Sequence, residues 1–399
     1  MSKVCLHNGT VLTGFAMMEN CSVLTEDGTI ADVFSRQRFE KKQFGPEAKI
    51  IDVEGAYIAP GFIDTHIHGF GGYGTDDAVY PEVSLAKDPA ESIIEMSRLL
   101  VKEGVTAFNP TLYPAPGDIL VNAVSAVSSA LGKESGARIM GLHLEGPFIS
   151  PGKLGVQRPE TVSSVNLDYM QRLWEASRGR IVNMTVAPEI KHMRELALDC
   201  IKKGIVLQAG HTDAQYNNMI EGMQAGILHA THLFNAMSRL DHRDLNAVGA
   251  ILTHSEMSCE IIADGAHVHP DLFKLLLRNK DIDKIVLITD SLKPTGQEQG
   301  PFYANGEEVV FHDGLFHRKK DDIIAGSGLT MIRGIKNLVN FGFSIEDAVK
   351  TASSNPALIM RYYRKGTIVP GKDADLTVFD KDYSVRAVLV EGEVKYNNL

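Results

Sequence analysis

Apolar residues recur along the middle of the chain in two alternating patterns. Short runs of about five residues, rich in Val and Ile, predict buried strands at 61–66, 105–110, 139–144, 181–186, 205–209, 229–233, 258–263 and 285–289. Longer segments with apolar positions three or four residues apart predict helices at 89–102, 118–131, 166–178, 191–203, 215–225 and 270–279. Eight strands with helices between most of them indicate an α/β protein built as a (β/α)8, or TIM, barrel.

The same alternation also fits a doubly wound open sheet, which stays the alternative at this point. Such sheets commonly bind nucleotides through a glycine-rich loop that follows a strand. No GxxxxGK[ST] segment follows any of the predicted strands. The phosphate-binding loop of that type is therefore absent from the sequence.

Both ends of the chain have a different texture from the middle. Short β-prone segments at 4–6, 10–12 and 22–25 are separated by the dipeptides Asn8-Gly9 and Asp27-Gly28, which are hairpin signals. Near the C-terminus, segments 375–379, 385–390 and 394–396 predict further strands, with Gly392 between the last two. We expect one small β-domain, built from residues 1–56 and 358–399, beside a barrel domain at 57–357.

Composition narrows the class of protein. The 399 residues are 44% hydrophobic and 23% charged, values that predict a folded core and exclude global disorder. A formal net charge of −10 argues against a nucleic-acid partner. No apolar run approaches the ~18 residues of a membrane helix, and no signal segment is visible. Four scattered cysteines predict free thiols rather than disulfides, so we expect a cytoplasmic protein.

Imidazole and carboxylate side chains stand at the ends of the predicted strands. The first strand leads into His66 and His68, which alternation places on one face. The third, fifth, sixth and eighth strands end at Glu145, His211, His232 and Asp290. Catalytic groups of barrel enzymes lie at this end of the strands. Buried imidazoles and carboxylates are costly unless they pair or bind a metal, so the set indicates a metal site.

These donors suit Zn²⁺, and they also suit Fe²⁺, Mn²⁺ or Co²⁺. A metal ion with open positions lowers the pKa of bound water to about 7. Asp290 can accept a proton from that water and pass it to a leaving group. His143 shares a face with Glu145, and we expect it to support a ligand rather than to be one. The residues alone therefore predict metal-assisted hydrolysis.

Six segments together resemble a known family. These are PGFIDTHIHG at 60–69, GLHLEGPF at 141–148, AGHTDA at 209–214, THLFNAM at 231–237, IIADGAHV at 261–268 and ITDS at 288–291. They resemble the amidohydrolase superfamily and, within it, the N-acetylglucosamine-6-phosphate deacetylase family, over residues 55 to 330. The resemblance implies a TIM barrel with a small β-sandwich domain from both termini. It also implies hydrolysis of N-acetylglucosamine 6-phosphate to glucosamine 6-phosphate and acetate, in amino-sugar catabolism.

The resemblance implies a role for each matching position. His66 and His68 would hold one divalent ion, Glu145 would hold or bridge metal with His211 and His232, and Asp290 would move the proton. One or two ions per subunit fit this set, with zinc favoured. The residues implied to contact the substrate are Val156, Gln157, Asn235, Ala236, Arg243, His267, Ile324, Ala325 and Gly326. Arg243 would bind the phosphate from the neighbouring subunit of a homodimer, because a guanidinium forms charge-assisted bidentate bonds to phosphate.

One position departs from the family pattern. Twelve residues after Glu145, some members have a histidine that polarises the acetyl carbonyl, and Gln157 stands there in this chain. A glutamine can donate a hydrogen bond but carries no charge. Three alternatives remain from the sequence: the galactosamine epimer as substrate, another amidohydrolase such as a cyclic amidase or D-aminoacylase, and a metal-free barrel that only binds ligands.

Overall fold

The computed structural model, which describes residues 3–399, confirms the predicted α/β barrel. Eight parallel strands follow one another in chain order: Phe62–Ile67, Val105–Leu112, Leu142–Glu145, Ile181–Val186, Val206–Ala209, His229–Ala230, Ser258–Ile262 and Ile285–Ile288. A short strand, Arg138–Ile139, also pairs with the second. The first and eighth strands meet where the backbone N–H of Asp290 donates to the carbonyl of His66 at 2.9 Å. This contact closes the barrel and excludes the open sheet.

Eleven α-helices lie among residues 3–399: Arg36–Lys41, Pro89–Leu100, Gly117–Ser128, Leu167–Ala176, Met193–Lys202, Tyr216–Gln224, Asn246–Thr253, Pro270–Asn279, Met331–Asn340, Ile345–Ala352 and Ser354–Ile359. All six predicted helices are present. Their ends follow local chemistry: the Asp88 side chain accepts a hydrogen bond from the backbone N–H of Glu91, and Pro89 begins the helix. Within the described residues, no helix is long and apolar enough to cross a membrane.

The two termini meet in one eight-stranded sheet. From one edge to the other its strands are Glu393–Asn397, Val385–Val390, Leu376–Phe379, Tyr57–Pro60, Lys3–Leu12, Met17–Glu26 and Thr29–Ser35, and Ala48–Asp52 pairs beside Lys3–Leu12. Its core is apolar and draws on both ends of the chain, with Leu6, Val23, Leu376 and Leu389 fully buried. The sequence therefore predicts correctly that one β-unit is shared by both termini.

Two details of this sheet differ from the expectation. Asn8-Gly9 does not form a hairpin turn, because the segments around it belong to the single strand Lys3–Leu12, whose pairing shifts between Leu6 and Gly9. Asn8 has a φ of 61°, so the dipeptide forms a bulge instead. The strand Tyr57–Pro60 bonds into the terminal sheet, with Ala59 opposite Thr377. We propose that the terminal domain extends through residue 60 rather than ending at 56.

A four-stranded antiparallel sheet follows the eighth barrel strand and was not predicted. Its strands are Phe302–Ala304, Glu307–His312, Leu315–Arg318 and Ile324–Ser327. A smaller pair, Gly69–Phe70 and Tyr73–Gly74, follows the first barrel strand. The last strand of the four ends at Ser327, whose backbone N–H donates to the carbonyl of Asp290 at 3.2 Å. The insert therefore attaches to the same end of the barrel that carries the predicted site.

Candidate active site

His66 and His68 are oriented from behind by hydrogen bonds. His66 Nδ1 lies 3.2 Å from Glu260 Oε2, and His68 Nδ1 lies 3.1 Å from the carbonyl oxygen of Thr111. Both rings are buried, at 0% and 3% exposure. Because each Nδ1 is engaged by an oxygen acceptor, each Nε2 faces the mouth of the barrel and can bind an ion through its lone pair when the ring is neutral. This is the arrangement in which imidazoles bind metal ions.

Glu145, His211 and His232 form a second group of donors. Glu145 Oε1 lies 3.1 Å from His211 Nε2 and 3.0 Å from His232 Nε2, and the two Nε2 atoms are 3.2 Å apart. Tetrahedral ligands with bonds of about 2.0 Å to a central ion lie about 3.3 Å from one another. The spacing of these three atoms fits a divalent ion, and so does the nature of the donors.

The two groups share Glu145. His68 Nε2 lies 3.5 Å from its Oε2, and His66 Nε2 lies 3.5 Å from its Oε1. His66 Nε2 is a buried nitrogen without a hydrogen-bond partner, as expected of a metal ligand. Burial lowers the pKa of His66, but the surrounding carboxylates, Asp290 foremost, overcome burial and raise it to about 10. The mouth of the barrel therefore has a negative potential that attracts positive charge.

Asp290 lies between the two histidines of the first strand. Its Oδ1 is 3.4 Å from His66 Nε2 and 3.3 Å from His68 Nε2. Burial raises the pKa of Asp290, but the adjacent His66 and His68 more than offset burial and hold it below its usual value. The carboxylate is therefore ionised and can accept a proton.

The backbone bends sharply at three of these residues. His211, His232 and Asp290 have φ values of 46°, 26° and 48°, which non-glycine residues rarely adopt. Gly210 precedes His211, and a Cβ there would lie 2.6 Å from the Cβ of Thr231. Each turn comes directly at the end of a barrel strand and points a side chain into the mouth. Such strain typically occurs at functional sites.

One cavity opens at this mouth and collects most of the predicted site residues. Its lining comprises His68, Tyr113, Glu145, Gly155, Val156, Gln157, His211, His232, Asn235, Ala236, His267, Asp290, Ile324, Ala325 and Gly326. His66 lies beneath it, fully buried. Arg243 does not line it and lies on an exposed loop, where its backbone N–H donates to Asp241 at 2.9 Å. The cavity formed by this chain therefore lacks the arginine predicted for the phosphate.

Gln157 and His143 lie close to the ligand groups. Gln157 Nε2 donates to Glu145 Oε2 at 2.8 Å, which uses one of its two N–H bonds. His143 Nδ1 and Nε2 lie 3.1 Å and 2.9 Å from the hydroxyls of Thr111 and Thr185. With both nitrogens engaged, His143 has no free donor for an ion. Burial lowers its pKa well below the usual value, so the ring is neutral.

His267 follows the seventh strand and lines the cavity. Its Nδ1 is 2.6 Å from Asp264 Oδ2. Burial lowers the pKa of His267, but Asp264 reverses the effect and the net shift is upward. A ring that gains positive charge here suits an anionic or hydroxyl-rich ligand.

Tyr113 and Glu260 belong to the site but were not predicted from the sequence. Glu260 is fully buried and contacts His66 from the seventh strand. A lone carboxylate inside the apolar segment 258–263 was the signal, because a buried charge needs a partner. Tyr113 directly follows the second strand, which extends to Leu112 rather than to the predicted residue 110. Its position at a strand end was hidden by that boundary.

Comparisons with known proteins identify the family of this chain. The model of the amidohydrolase family matches residues 57–395. The N-acetylglucosamine-6-phosphate deacetylase of Bacillus subtilis (strain 168) is 33% identical, over 97% of this chain and 95% of its own. The N-acetylgalactosamine-6-phosphate deacetylase of Escherichia coli O157:H7 is 29% identical, over 84% of this chain and 87% of its own. The crystal structure of N-acetylglucosamine-6-phosphate deacetylase from Pasteurella multocida superposes with a TM-score of 0.89, at 26% identity, covering 99% of this chain and 100% of that one. On this match the chain is a member of the amidohydrolase family.

Proposed function

We propose that this chain is a metal-dependent hydrolase that converts N-acetylglucosamine 6-phosphate to glucosamine 6-phosphate and acetate. The observation that carries the proposal is the shared carboxylate: Glu145 lies between two pairs of histidines, and Asp290 lies beside one pair. Relatives over nearly the whole chain are named for this reaction. Metal-binding donors and an ionised carboxylate are well suited to hydrolysis of an unactivated amide.

Two sets of residues would hold divalent ions. Glu145, His211 and His232 would hold the essential ion, and His66 and His68 would hold a second together with Glu145. Zn²⁺ suits these nitrogen and oxygen donors best, and Fe²⁺, Mn²⁺ and Co²⁺ are the alternatives. A bound divalent ion acidifies water and polarises a carbonyl oxygen.

Asp290 moves the proton. Hydrolysis forms a bond from a water oxygen to the acetyl carbon and breaks the bond from that carbon to the sugar nitrogen. Asp290 accepts the proton that the water loses and delivers it to the departing nitrogen. Gln157 has a second N–H beyond the one donated to Glu145, and this N–H donates to the carbonyl oxygen as negative charge develops there.

The sugar phosphate lies along the loops after the sixth and seventh strands. Asn235, Ala236 and His267 line that part of the cavity and contact the sugar in this proposal. The phosphate needs a cation, and Arg243 of this chain is exposed outside the cavity. We infer that the protein is a homodimer in which Arg243 reaches the site of the partner. Four buried free cysteines support a reducing, cytoplasmic environment.

Acetate release from defined sugars tests the activity. The protein is stripped with a chelator, reloaded with Zn²⁺, Fe²⁺, Mn²⁺ or Co²⁺, and given N-acetylglucosamine 6-phosphate or its galactosamine epimer. We expect release only after reloading, and faster release from the gluco epimer. Faster release from the galacto epimer would reassign the substrate, as the E. coli relative suggests. No release from either sugar with any of the four ions would refute the activity.

A further inference from the structure

The side chain of Tyr113 forms a wall of the cavity and has no role in the mechanism above. Its ring stacks flat on the imidazole of His68, with centroids 3.7 Å apart and planes 2° from parallel. The residue is 7% exposed, and the exposed part faces the cavity. Burial raises the pKa of its hydroxyl well above the usual value, so the ring is neutral near pH 7.

The unpredicted insert holds the Tyr113 ring from outside the barrel. Tyr113 belongs to an apolar cluster with Leu292, Ala304, Val309 and Phe316. Three of these four residues come from the four-stranded sheet at 302–327. His68 packs on one face of the ring, and this cluster packs against its side away from the cavity. The ring therefore has little freedom to move aside. The insert thereby turns Tyr113 into a rigid surface.

The order of the barrel strands decides which part of a substrate meets that surface. Tyr113 follows the second strand, whereas Asn235 and Ala236 follow the sixth, which lies diametrically opposite in an eight-stranded barrel. The sugar of the proposed substrate occupies the side of the sixth strand. The carbonyl carbon lies at the central donors, so the group on its far side points toward the second strand. In an acetamide that group is the methyl.

We propose that Tyr113 is a specificity-determining residue that limits the acyl group of the substrate to acetyl. This inference rests on the proposed function. The wall is completed by Val156 and Ala325, which with Tyr113 line both the main cavity and a smaller one behind it. The smaller cavity is also lined by Ala304 and Val309. Tyr113 therefore lies between the acetyl position and the insert, so an acyl chain longer than acetyl would meet its ring.

The test compares the kcat/KM for the N-acetyl, N-propionyl and N-butyryl forms of glucosamine 6-phosphate. One methylene in an apolar pocket changes selectivity by about 10–200-fold, so the wild type should prefer acetyl to butyryl by at least about 100-fold. Tyr113→Leu, which is smaller but apolar, should reduce that preference by at least about tenfold. Tyr113→Phe keeps the ring and is the matched control, which should retain the wild-type preference.

Two further measurements separate selectivity from structural effects. The number of ions per subunit shows whether Tyr113→Leu has only disturbed His68. If turnover of Tyr113→Leu is too slow to measure, the Kd values of the N-acetyl and N-butyryl sugars are measured in an Asp290→Asn background, with and without Tyr113→Leu.

Three outcomes are distinguishable. A reduced acetyl preference in Tyr113→Leu, in kcat/KM or in Kd, supports the proposal. An unchanged ratio overturns it, and so does a loss of preference in Tyr113→Phe, because the hydroxyl would then be responsible. If the wild type hydrolyses none of the three sugars, the proposed function fails rather than the assignment of Tyr113.

Discussion

The mouth of the barrel and the core of the terminal sheet are equally buried but opposite in composition. In the terminal sheet, Leu6, Val23, Leu376 and Leu389 exclude water by packing alone. At the mouth, His66, His68, Glu145, His211 and His232 are each at most 4% exposed and ionisable. Apolar burial contributes about 25 cal/mol per Å², whereas burial of charge costs free energy unless the charge is compensated. The core of the terminal sheet therefore stabilises the fold, whereas the mouth of the barrel depends on the rest of the fold to hold its side chains in place.

A cation would complete the charge balance of the mouth. Glu145 and Glu260 are buried carboxylates there and Asp290 is a partly buried one, and their histidine partners carry positive charge only when they bind a proton. The terminal domain does not depend on an added cation for its charge balance. Its buried ion pair, Lys365 with Asp375 at 2.5 Å, is formed within the chain. Substitutions at the mouth should therefore change chemistry first, and substitutions in the terminal core should change stability first.

The largest effect is expected for His211→Ala. Loss of this donor should remove the essential ion and lower kcat/KM by about 10⁴-fold or more, because the ion supplies several kcal/mol of transition-state stabilisation. Metal content and acetate release, measured on the same sample, check this. His192→Ala changes an exposed histidine and is the control. A His211→Ala protein with full metal content and normal turnover would contradict the assignment.

Asp290→Asn should lower kcat by about 10²–10⁴-fold, because the amide cannot accept the proton. The shape of the side chain is kept, so the ions should remain bound. Steady-state kinetics and metal analysis together distinguish a loss of proton transfer from a loss of bound ions. A kcat within a few-fold of the wild type would move the proton transfer to another group.

Leu376→Ala tests the other side of the comparison. This fully buried side chain packs in the terminal sheet, and its truncation should lower the free energy of unfolding by about 2–5 kcal/mol. The kcat/KM at 25 °C should stay within about twofold of the wild type, since the site is held by the barrel. Leu358→Ala, at a side chain 62% exposed, is the matched control in chemical denaturation. A large fall in kcat/KM of folded Leu376→Ala would show that the two regions are coupled.

Arg243→Ala should have the smallest of these effects. Loss of a charged hydrogen bond to phosphate costs about 1.5–3 kcal/mol, which is about 10–150-fold, mostly in KM. The measurement is the ratio of kcat/KM for N-acetylglucosamine 6-phosphate to that for the unphosphorylated sugar, in both proteins. An unchanged ratio would make Arg243 a solvated loop charge. Sedimentation of the active enzyme as a monomer would contradict the shared site.

The barrel and most of its site could be predicted because five of the eight strands lead directly into an imidazole or carboxylate residue. His66, Glu145, His211, His232 and Asp290 were found by that rule alone. Tyr113 was missed because an aromatic residue three positions past a predicted boundary carries no charge to mark it. The insert at 302–327 contains Asn305-Gly306 and Asp313-Gly314, which are hairpin signals. Its four strands can nevertheless be recognised only when all of them are considered together. The bulge at Asn8-Gly9 has the same sequence signature as a turn, and only the pairing of its neighbours distinguishes the two.

A metal titration of the stripped protein tests most directly whether a bound ion both stabilises the mouth of the barrel and supplies its chemistry. Increasing Zn²⁺ is added to identical samples, and the Tm and the rate of acetate release are measured on each. Because an ion would both complete the charge balance of the mouth and supply the chemistry, the account predicts that Tm and rate rise together. Both should reach most of their increase at the first ion bound per subunit. Two results would contradict this prediction. One is full acetate release by the metal-free protein. The other is a rise in rate with no change in Tm, in the wild type and in His211→Ala alike.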